Sequence, residues 1–121
     1  MGLDMYAMIT SETPNKPVDF EYTETAGMIH SWRKHPDLHG WMQQLYFDKG
    51  GQQEFNCVPV VLTATDLDQL EAAIVDRELP ETSGFFFGNS FGEEHEDDLE
   101  FITKARKAIA DGYTVFYDSW W

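Results

Sequence analysis

The sequence predicts an α+β fold: one domain over residues 1–121, with about four mostly antiparallel strands and about three helices. Three observations support this prediction. Apolar residues recur with helical spacing in three separate stretches. Short segments that alternate in polarity, or that are rich in valine and aromatic residues, lie between those stretches. The chain has 121 residues, 42% of them hydrophobic, which is enough for one packed core.

The first strands and the first helix are predicted from the N-terminal half of the chain. Residues 3–9 and 28–32 are predicted strands, and the two prolines within residues 10–17 indicate a loop. The first helix is expected to begin near His35, because Pro36 suits a first helical turn. Gly50 and Gly51 are expected to end it. Its apolar stripe has the spacing i, i+3, i+4, i+7 and i+8: Leu38, Trp41, Met42, Leu45 and Tyr46.

The next two elements are a strand and a second helix. Residues 56–62 are rich in valine and are predicted to form the third strand. Pro59 lacks a backbone donor, so this strand is expected at a sheet edge or a bulge. Thr65 is predicted to cap the second helix. The residues expected to face inward from that helix are Leu67, Leu70 and Ile74.

The C-terminal part of the chain is predicted to contain the remaining elements. Residues 84–88 place three phenylalanines between two glycines and are interpreted as a strand or tight loop. A third helix is expected over residues 93–111, with acids at its start and bases at its end, as the helix dipole favours. Residues 113–120 have the composition of a last strand. The inward stripe expected for the third helix is Leu99, Ile102, Ala105 and Ile109.

Acidic residues are concentrated in the second half of the chain. Residues 66–100 contain 12 Asp and Glu residues and one base, Arg77, and the whole chain has a formal net charge of −14. Such a field repels nucleic acid and attracts basic surfaces. One interpretation is a solvated, dipole-favoured helix start. The other is a carboxylate-rich surface that binds a basic partner, for which the candidate residues are Glu93, Glu94, Glu96, Asp97, Asp98 and Glu100.

The aromatic segment offers a second type of partner contact. If residues 84–88 are extended, Phe85 and Phe87 point to one side and Phe86 to the other. Exposure of Phe86 together with Trp120 or Trp121 would form an apolar patch of the kind that marks partner sites. Burial of all three phenylalanines beneath the third helix is the alternative.

Compartment is predicted from the cysteine and from the apolar runs. One cysteine, Cys57, excludes an intrachain disulfide, and the start of the sequence lacks the features of a secretory signal. Apolar runs are far shorter than the roughly 20 residues that span a bilayer. We therefore expect a cytoplasmic protein that contacts no membrane.

Several short motifs follow one another along the whole chain: Met-Gly-Leu-Asp-Met-Tyr from Met1, Trp-Arg-Lys from Trp32, His39 with Trp41, Asn56-Cys57, Leu79-Pro80, Gly-Phe-Phe-Phe-Gly from Gly84, and the closing Ser119-Trp120. In these motifs and their order the sequence resembles a family of small proteins found in bacteriophages and in bacterial genomes. The resemblance implies a host-cell cytoplasmic location but no established activity. Asp118 stands where the family has a serine. Some members carry a phosphoglycerate kinase label, yet 121 residues cannot supply the two domains of that enzyme, and no G-x-x-x-x-G-K-[ST] loop is present.

A cluster of cations precedes the first helix and is the candidate ligand-binding site. Arg33 and Lys34 beside the positive end of a helix suit a phosphate or carboxylate, and Trp32 is able to stack on a base or on Arg33. The alternative is that both cations pair with the chain's own carboxylates, which outnumber them (22 acids to 8 bases).

An enzyme hypothesis recruits a polar cluster at one end of the sheet. Its candidate catalytic residues are Asp4, Arg33, His39 and Asn56, with His39 as the general acid or base. A catalytic triad that uses Ser83 or Ser119 has little support, because no G-x-S-x-G nucleophile elbow is present.

Metal binding was considered at the two histidines of the first helix. His35 and His39 are four residues apart and so share a helix face, with Asp37 nearby. His35 lies at the start of the helix, however, and no H-E-x-x-H pattern is present. We expect no metal or other cofactor. His39 is interpreted as a residue that packs or forms a hydrogen bond beside Trp41, and His35 as a solvated residue at the helix start.

Two functions follow from these observations. The first is a non-enzymatic acidic protein that binds a basic protein surface, such as that of a host nucleic-acid-binding or defence protein, and inhibits or modulates it. The second is a small enzyme or a domain that binds an anion or nucleotide through Arg33, Lys34 and His39. We expect the first.

Overall fold

The fold is described from a computed structural model. The structure describes residues 3–11, 14, 16–18, 20, 27–33, 35–56, 58–76, 79 and 95–120. The elements, in chain order, are β1 (Asp4–Thr10), β2 (Gly27–Arg33), α1 (Pro36–Asp48), β3 (Val60–Leu62), α2 (Ala64–Val75), α3 (His95–Ala110) and β4 (Thr114–Trp120).

The four strands form one antiparallel sheet in the order β2-β1-β4-β3. The predicted α+β fold is therefore confirmed. Strand β3 lies at an edge of the sheet and begins directly after Pro59, as the missing backbone donor of proline favours. It is shorter than the predicted strand over residues 56–62, and Cys57 lies outside the described residues.

One face of the sheet forms the floor of the core. Alternation along the strands points Met5, Ala7, Val115 and Tyr117 to this inner face, and all four are fully buried. The same core cluster contains buried residues from all three helices. On the opposite face, Phe116 is covered by Phe20, whose ring meets it edge-on at 5.4 Å between centroids.

Helix α1 agrees with its predicted start and stripe. His35 is the N-cap residue and Pro36 begins the helix. Of the five predicted stripe residues, Trp41 is partly buried against the core and the other four are buried. Gly50 follows the C-cap with a φ of 100°, a conformation that glycine adopts without steric cost. Two helical turns of apolar contacts thus hold α1 on the sheet.

Helix α2 begins two residues earlier than predicted, with Thr63 rather than Thr65 as the N-cap. The Thr63 hydroxyl accepts a hydrogen bond from the Asp66 backbone N–H at 3.2 Å, and the Asp66 carboxylate accepts one from the Thr63 backbone N–H at 2.9 Å. This capping box satisfies two backbone amides at once. Thr65 lies inside the helix, in its first turn. The three residues predicted to face inward are buried, as expected.

Helix α3 is rotated relative to the predicted stripe. Ile102 and Ala105 are buried as predicted, but Leu99 and Ile109 are only partly buried. The face that packs on the core is Asp98, Phe101, Ile102, Ala105 and Ala108. One carboxylate therefore occupies a position in the apolar stripe. The described helix begins at His95, and Glu93 and Glu94 lie outside the described residues.

Two further predictions remain untested by the fold. The aromatic segment of residues 84–88 lies outside the described residues, as does Trp121.

Among the helices that the structure describes, none has the length and apolar character needed to cross a membrane.

Candidate functional site

Several polar side chains join strand β2 to the first turn of α3. His30 and Trp32 are two residues apart on β2, so both side chains point to the inner face of the sheet. Their rings lie 4.6 Å apart between centroids. Opposite them, in the first turn of α3, Asp97 contacts His30 and Asp98 contacts Trp32. These contacts connect the helix to the strand.

The outer part of this contact is built around His30. Its Nε2 lies 2.9 Å from Oδ2 of Asp97, and its Nδ1 lies 3.2 Å from Nζ of Lys104. An ammonium group only donates hydrogen bonds, so Nδ1 is the acceptor and the ring proton resides on Nε2, which donates to Asp97. The His30 side chain is 5% exposed and that of Asp97 is 47% exposed. His30 is therefore a buried imidazole with one edge directed at the surface.

The inner part of the contact is built around Asp98, which is 2% exposed. Its Oδ1 accepts a hydrogen bond from Nε1 of Trp32 at 3.0 Å, and its Oδ2 lies 2.8 Å from Nε2 of His35. Burial of a carboxylate is costly unless donors surround it. Two side-chain donors and the positive N-terminal end of α3 provide that compensation.

This geometry corrects three predictions. Asp98 is buried, so it is removed from the set of residues available to a partner. Trp32, which was a candidate for stacking on a ligand, is 7% exposed and directs its indole N–H to Asp98. His35, which was expected to be solvated, is 3% exposed. All three side chains serve the interior because β2 and the first turn of α3 pack face to face.

The exposed carboxylates of α3 are those of Glu96, Asp97 and Glu100. Within the described part of the chain, neither Glu96 nor Glu100 has a cation within 4 Å. A cleft of about 340 Å³ borders this group. It is lined by Met28, Ile29, His30, Ser31, Asp97, Glu100 and Lys104. Of the other predicted partner-binding residues, Glu93, Glu94 and Phe86 lie outside the described residues.

The acids of α2 do not extend this carboxylate face without interruption. Arg106 of α3 donates to Glu71 at 2.9 Å and to Asp68 at 2.8 Å. The hydrogen bonds that Arg106 donates to Glu71 and, with a smaller effect, to Asp68 raise the pKa of Arg106 above its ordinary value. Asp66 is buried and paired with Lys49. Of the eight acids that the structure describes within residues 66–100, five are engaged within the fold: Asp66, Asp68, Glu71, Asp97 and Asp98.

The predicted catalytic residues are not brought together. Asp4 and Arg33 are register partners on β1 and β2, and Nε of Arg33 lies 3.8 Å from Oδ1 of Asp4. Strand alternation places both on the outer face of the sheet. His39 lies on the inner side, in α1. Asn56 follows Phe55, whose ring packs 4.9 Å from that of His39.

His39 is a buried, neutral histidine in the core. Burial lowers its pKa to about 4. Its Nδ1 lies 2.7 Å from the hydroxyl of Tyr117, and burial raises the pKa of that tyrosine well above its ordinary value. Among the described residues, the contacts of His39 are those of a side chain packed in the core.

The predicted cation site is represented by Arg33 alone, because Lys34 lies outside the described residues. The Arg33 side chain is 77% exposed. It has only a long contact with Asp4, so the helix start and this guanidinium do not form a closed anion pocket among the described residues.

The predicted apolar patch is represented by Trp120 on β4. Trp120 is 63% exposed and shares a shallow cavity with Met28 of β2, on the outer face of the sheet. Phe86, the other residue predicted for this patch, lies outside the described residues.

The contacts of His30 with Asp97 and Lys104 are the part of the site that the sequence did not predict. The available signal was the two-residue spacing of His30 and Trp32 on a predicted strand, which places both on one face. No local pattern in the sequence indicates that α3 packs on β2. The contact of His30 with Asp97 is therefore not predictable from the sequence. The two histidines considered for a metal, His35 and His39, have different partners and do not share a site.

Comparison of the chain with protein-family models, with curated proteins and with solved structures found no match.

Proposed function

We propose that this protein is a small, non-enzymatic interaction protein whose α3 carboxylates bind a basic surface of a partner protein. The observation that carries the proposal is the exposed group of Glu96, Asp97 and Glu100 on one side of a packed helix. Glu96 and Glu100 lack a neutralising cation among the described residues. Rigid presentation lowers the entropic cost of holding several charges in place for a partner.

The charge density of this group supports a partner that normally binds nucleic acid. Residues 96 to 100 span about 6 Å of helix axis at about 1.5 Å per residue. Three carboxylates in that span correspond to about one charge per 2 Å, close to the roughly one per 1.7 Å of duplex DNA. A basic surface built for phosphates thus meets a similar local field.

The partner class follows from this density together with the family resemblance. A protein of phage type with a carboxylate-rich helix fits an inhibitor or modulator of a host nucleic-acid-binding or defence protein in the host cytoplasm. Direct binding of nucleic acid is disfavoured, because a net charge of −14 repels phosphates.

The proposal is tested with two charge-matched double variants of the full chain. Glu96→Gln with Glu100→Gln removes two charges from α3. Glu54→Gln with Asp76→Asn removes two from exposed sites elsewhere. Binding of a fluorescent arginine decapeptide is measured by anisotropy at 50 and 200 mM NaCl. We expect the α3 variant to bind about fivefold more weakly, since each exposed pair contributes roughly 0.5 kcal/mol, and the control to change by less than twofold.

Equal weakening by both variants would contradict the proposal, because binding would then follow net charge rather than a particular face. Binding that does not weaken at 200 mM NaCl would contradict it as well. The natural partner is then sought by affinity capture from host lysate with the wild-type chain and the α3 double variant. The proposal requires a basic nucleic-acid-binding protein that the wild-type bait retains in clearly larger amount than the α3 double variant does.

A further inference from the structure

Three groups of the kind that bind metals converge at the rim of the β2–α3 contact. Each of three side chains, those of His30, Asp97 and Glu100, offers one ligand atom. These three atoms all lie within 4.8 Å of one another. The nitrogen comes from a strand and the two carboxylates from successive turns of a helix. We propose that His30, Asp97 and Glu100 bind a divalent first-row transition metal ion, and that Lys104 opposes this binding.

The three ligand atoms need to move only slightly closer together to bind one ion. Metal–nitrogen and metal–oxygen bonds of about 2.0–2.2 Å place two ligand atoms on one ion at most about 4.3 Å apart. Asp97 and Glu100 are exposed and able to rotate by the remaining distance. His30 is held in place, because its ring packs against Trp32 at 4.6 Å and Phe101 at 5.9 Å between centroids. The nitrogen is thus a fixed donor and the carboxylates are adjustable ones.

The donor set determines the class of metal. Imidazole nitrogen suits Zn²⁺ and the neighbouring transition metals, whereas Ca²⁺ and Mg²⁺ prefer a shell of oxygens alone. Three protein ligands leave further positions open, and these face the cleft lined by Ser31. Water completes the coordination there.

Lys104 is the feature that makes the inference specific. Its ammonium lies 3.2 Å from Nδ1 of His30 and keeps the ring proton on Nε2. A metal bond to Nε2 displaces that proton to solvent, and uptake of one proton from solvent at Nδ1 restores the neutral ring. The protonated Nδ1 faces a second donor, so Lys104 has to turn away into water, which its exposed position allows. The positive charge of Lys104 opposes the incoming cation in addition.

The inference goes beyond the proposed function and does not depend on it. Glu96 contributes to the carboxylate face but not to the metal group, while Glu100 contributes to both. Loss of peptide binding without loss of metal binding in Glu96→Gln therefore separates the two ideas, and either is able to fail alone.

The test is calorimetric titration of the full chain with ZnCl₂ and with MnCl₂, each in 150 mM NaCl at neutral pH. We expect saturable binding of one ion. Glu100→Gln is expected to weaken it at least tenfold, and Glu96→Gln, a matched charge change outside the group, by less than twofold. Lys104→Gln is expected to strengthen it about tenfold, since the amide oxygen accepts from Nδ1–H. Lys107→Gln removes the same charge one turn away and is expected to have a smaller effect.

A second measurement identifies the nitrogen donor among the four histidines of the chain. Imidazole resonances are followed by NMR during the Zn²⁺ titration, and the His30 signals are expected to shift first. The proposal is overturned by an absence of binding in both the wild type and Lys104→Gln. It is overturned equally by a shift at another histidine in place of His30, or by equal weakening in Glu96→Gln and Glu100→Gln.

Discussion

Helix α3 makes two polar contacts that use the same chemistry in different surroundings. Towards β2, Asp98 meets Trp32 and His35 in the interior. Towards α2, Arg106 meets Asp68 and Glu71 at the surface, where these three side chains are between 40% and 71% exposed. Both contacts join a carboxylate to a nitrogen donor at 2.8–3.1 Å.

The difference lies in what water does when one partner is removed. At the α2–α3 surface, water replaces a lost ion pair at little cost. In the inner part of the β2–α3 contact, Asp98 is buried, so loss of this acceptor leaves buried donors unsatisfied. The excess of acid in this chain therefore has two roles, one in folding and one at the surface, and the following variants separate them.

The largest expected effect is that of Asp98→Ala. It leaves the Trp32 indole N–H and the His35 imidazole without their acceptor, and we expect a loss of about 3–5 kcal/mol of unfolding free energy. Asp97→Ala is the matched control in the next position. Because water reaches Asp97, its loss is expected to be under about 1 kcal/mol. Urea unfolding followed by circular dichroism measures both, and similar losses in the two variants would remove the distinction between the contacts.

His39, a buried histidine whose ring contacts the Tyr117 hydroxyl, sharpens the comparison. His39 has a folded-state pKa of about 4 against an ordinary value of 6.5. The unfolded chain therefore binds more protons between these values, and the His39 contribution to stability is complete above pH 6.5 and lost as the pH falls to about 4. The loss amounts to about 3 kcal/mol between pH 7 and pH 4.

The measurement is the unfolding free energy of the wild type and of His39→Asn at several pH values. The variant lacks the titrating ring, so its stability is expected to fall by about 3 kcal/mol less over this range than that of the wild type. Identical pH profiles for the two proteins would show that His39 is not held neutral by the core.

The smallest expected effect is that of Arg106→Gln at the α2–α3 surface. We expect a loss of about 0.5–1 kcal/mol in low salt, because three partly exposed charges contribute modestly. In 0.5 M NaCl the difference is expected to shrink further. Lys107→Gln, an exposed lysine one position along the same helix, serves as the control for loss of charge alone. A loss of several kcal/mol of unfolding free energy in Arg106→Gln would contradict the comparison, because the exposed contact would then matter as much as the buried one.

The elements of the fold follow from local patterns, whereas the polar contacts do not. The spacing of Leu38, Met42 and Tyr46 places α1 correctly, and Pro59 places β3 at an edge, because both signals act within a few residues. The prediction of Thr65 as the N-cap of α2 is wrong by two residues, because Thr63 with Asp66 and Thr65 with Asp68 both have the spacing of a capping box. Local sequence does not choose between the two pairs.

The error in α3 has a different origin. Leu99 and Ile109 were assigned to the inward face because apolar residues are normally buried, and the acid at Asp98 was assigned to the surface for the same reason. The true phase depends on Trp32 and His35, which lie more than 60 residues away and supply the donors. Long-range compensation of a buried charge leaves no local pattern, so the division of the acids between interior and surface emerges only from the structure.

The most direct test of this division compares two variants that each lose one negative charge from the same part of α3. Arginine decapeptide binding is measured for Asp98→Asn and Glu100→Gln at a temperature where both are folded. We predict that Glu100→Gln weakens binding two- to threefold and that Asp98→Asn, although less stable, binds as the wild type does. Weaker binding by Asp98→Asn, or unchanged binding by Glu100→Gln, would contradict the assignment of the exposed α3 carboxylates to partner recognition.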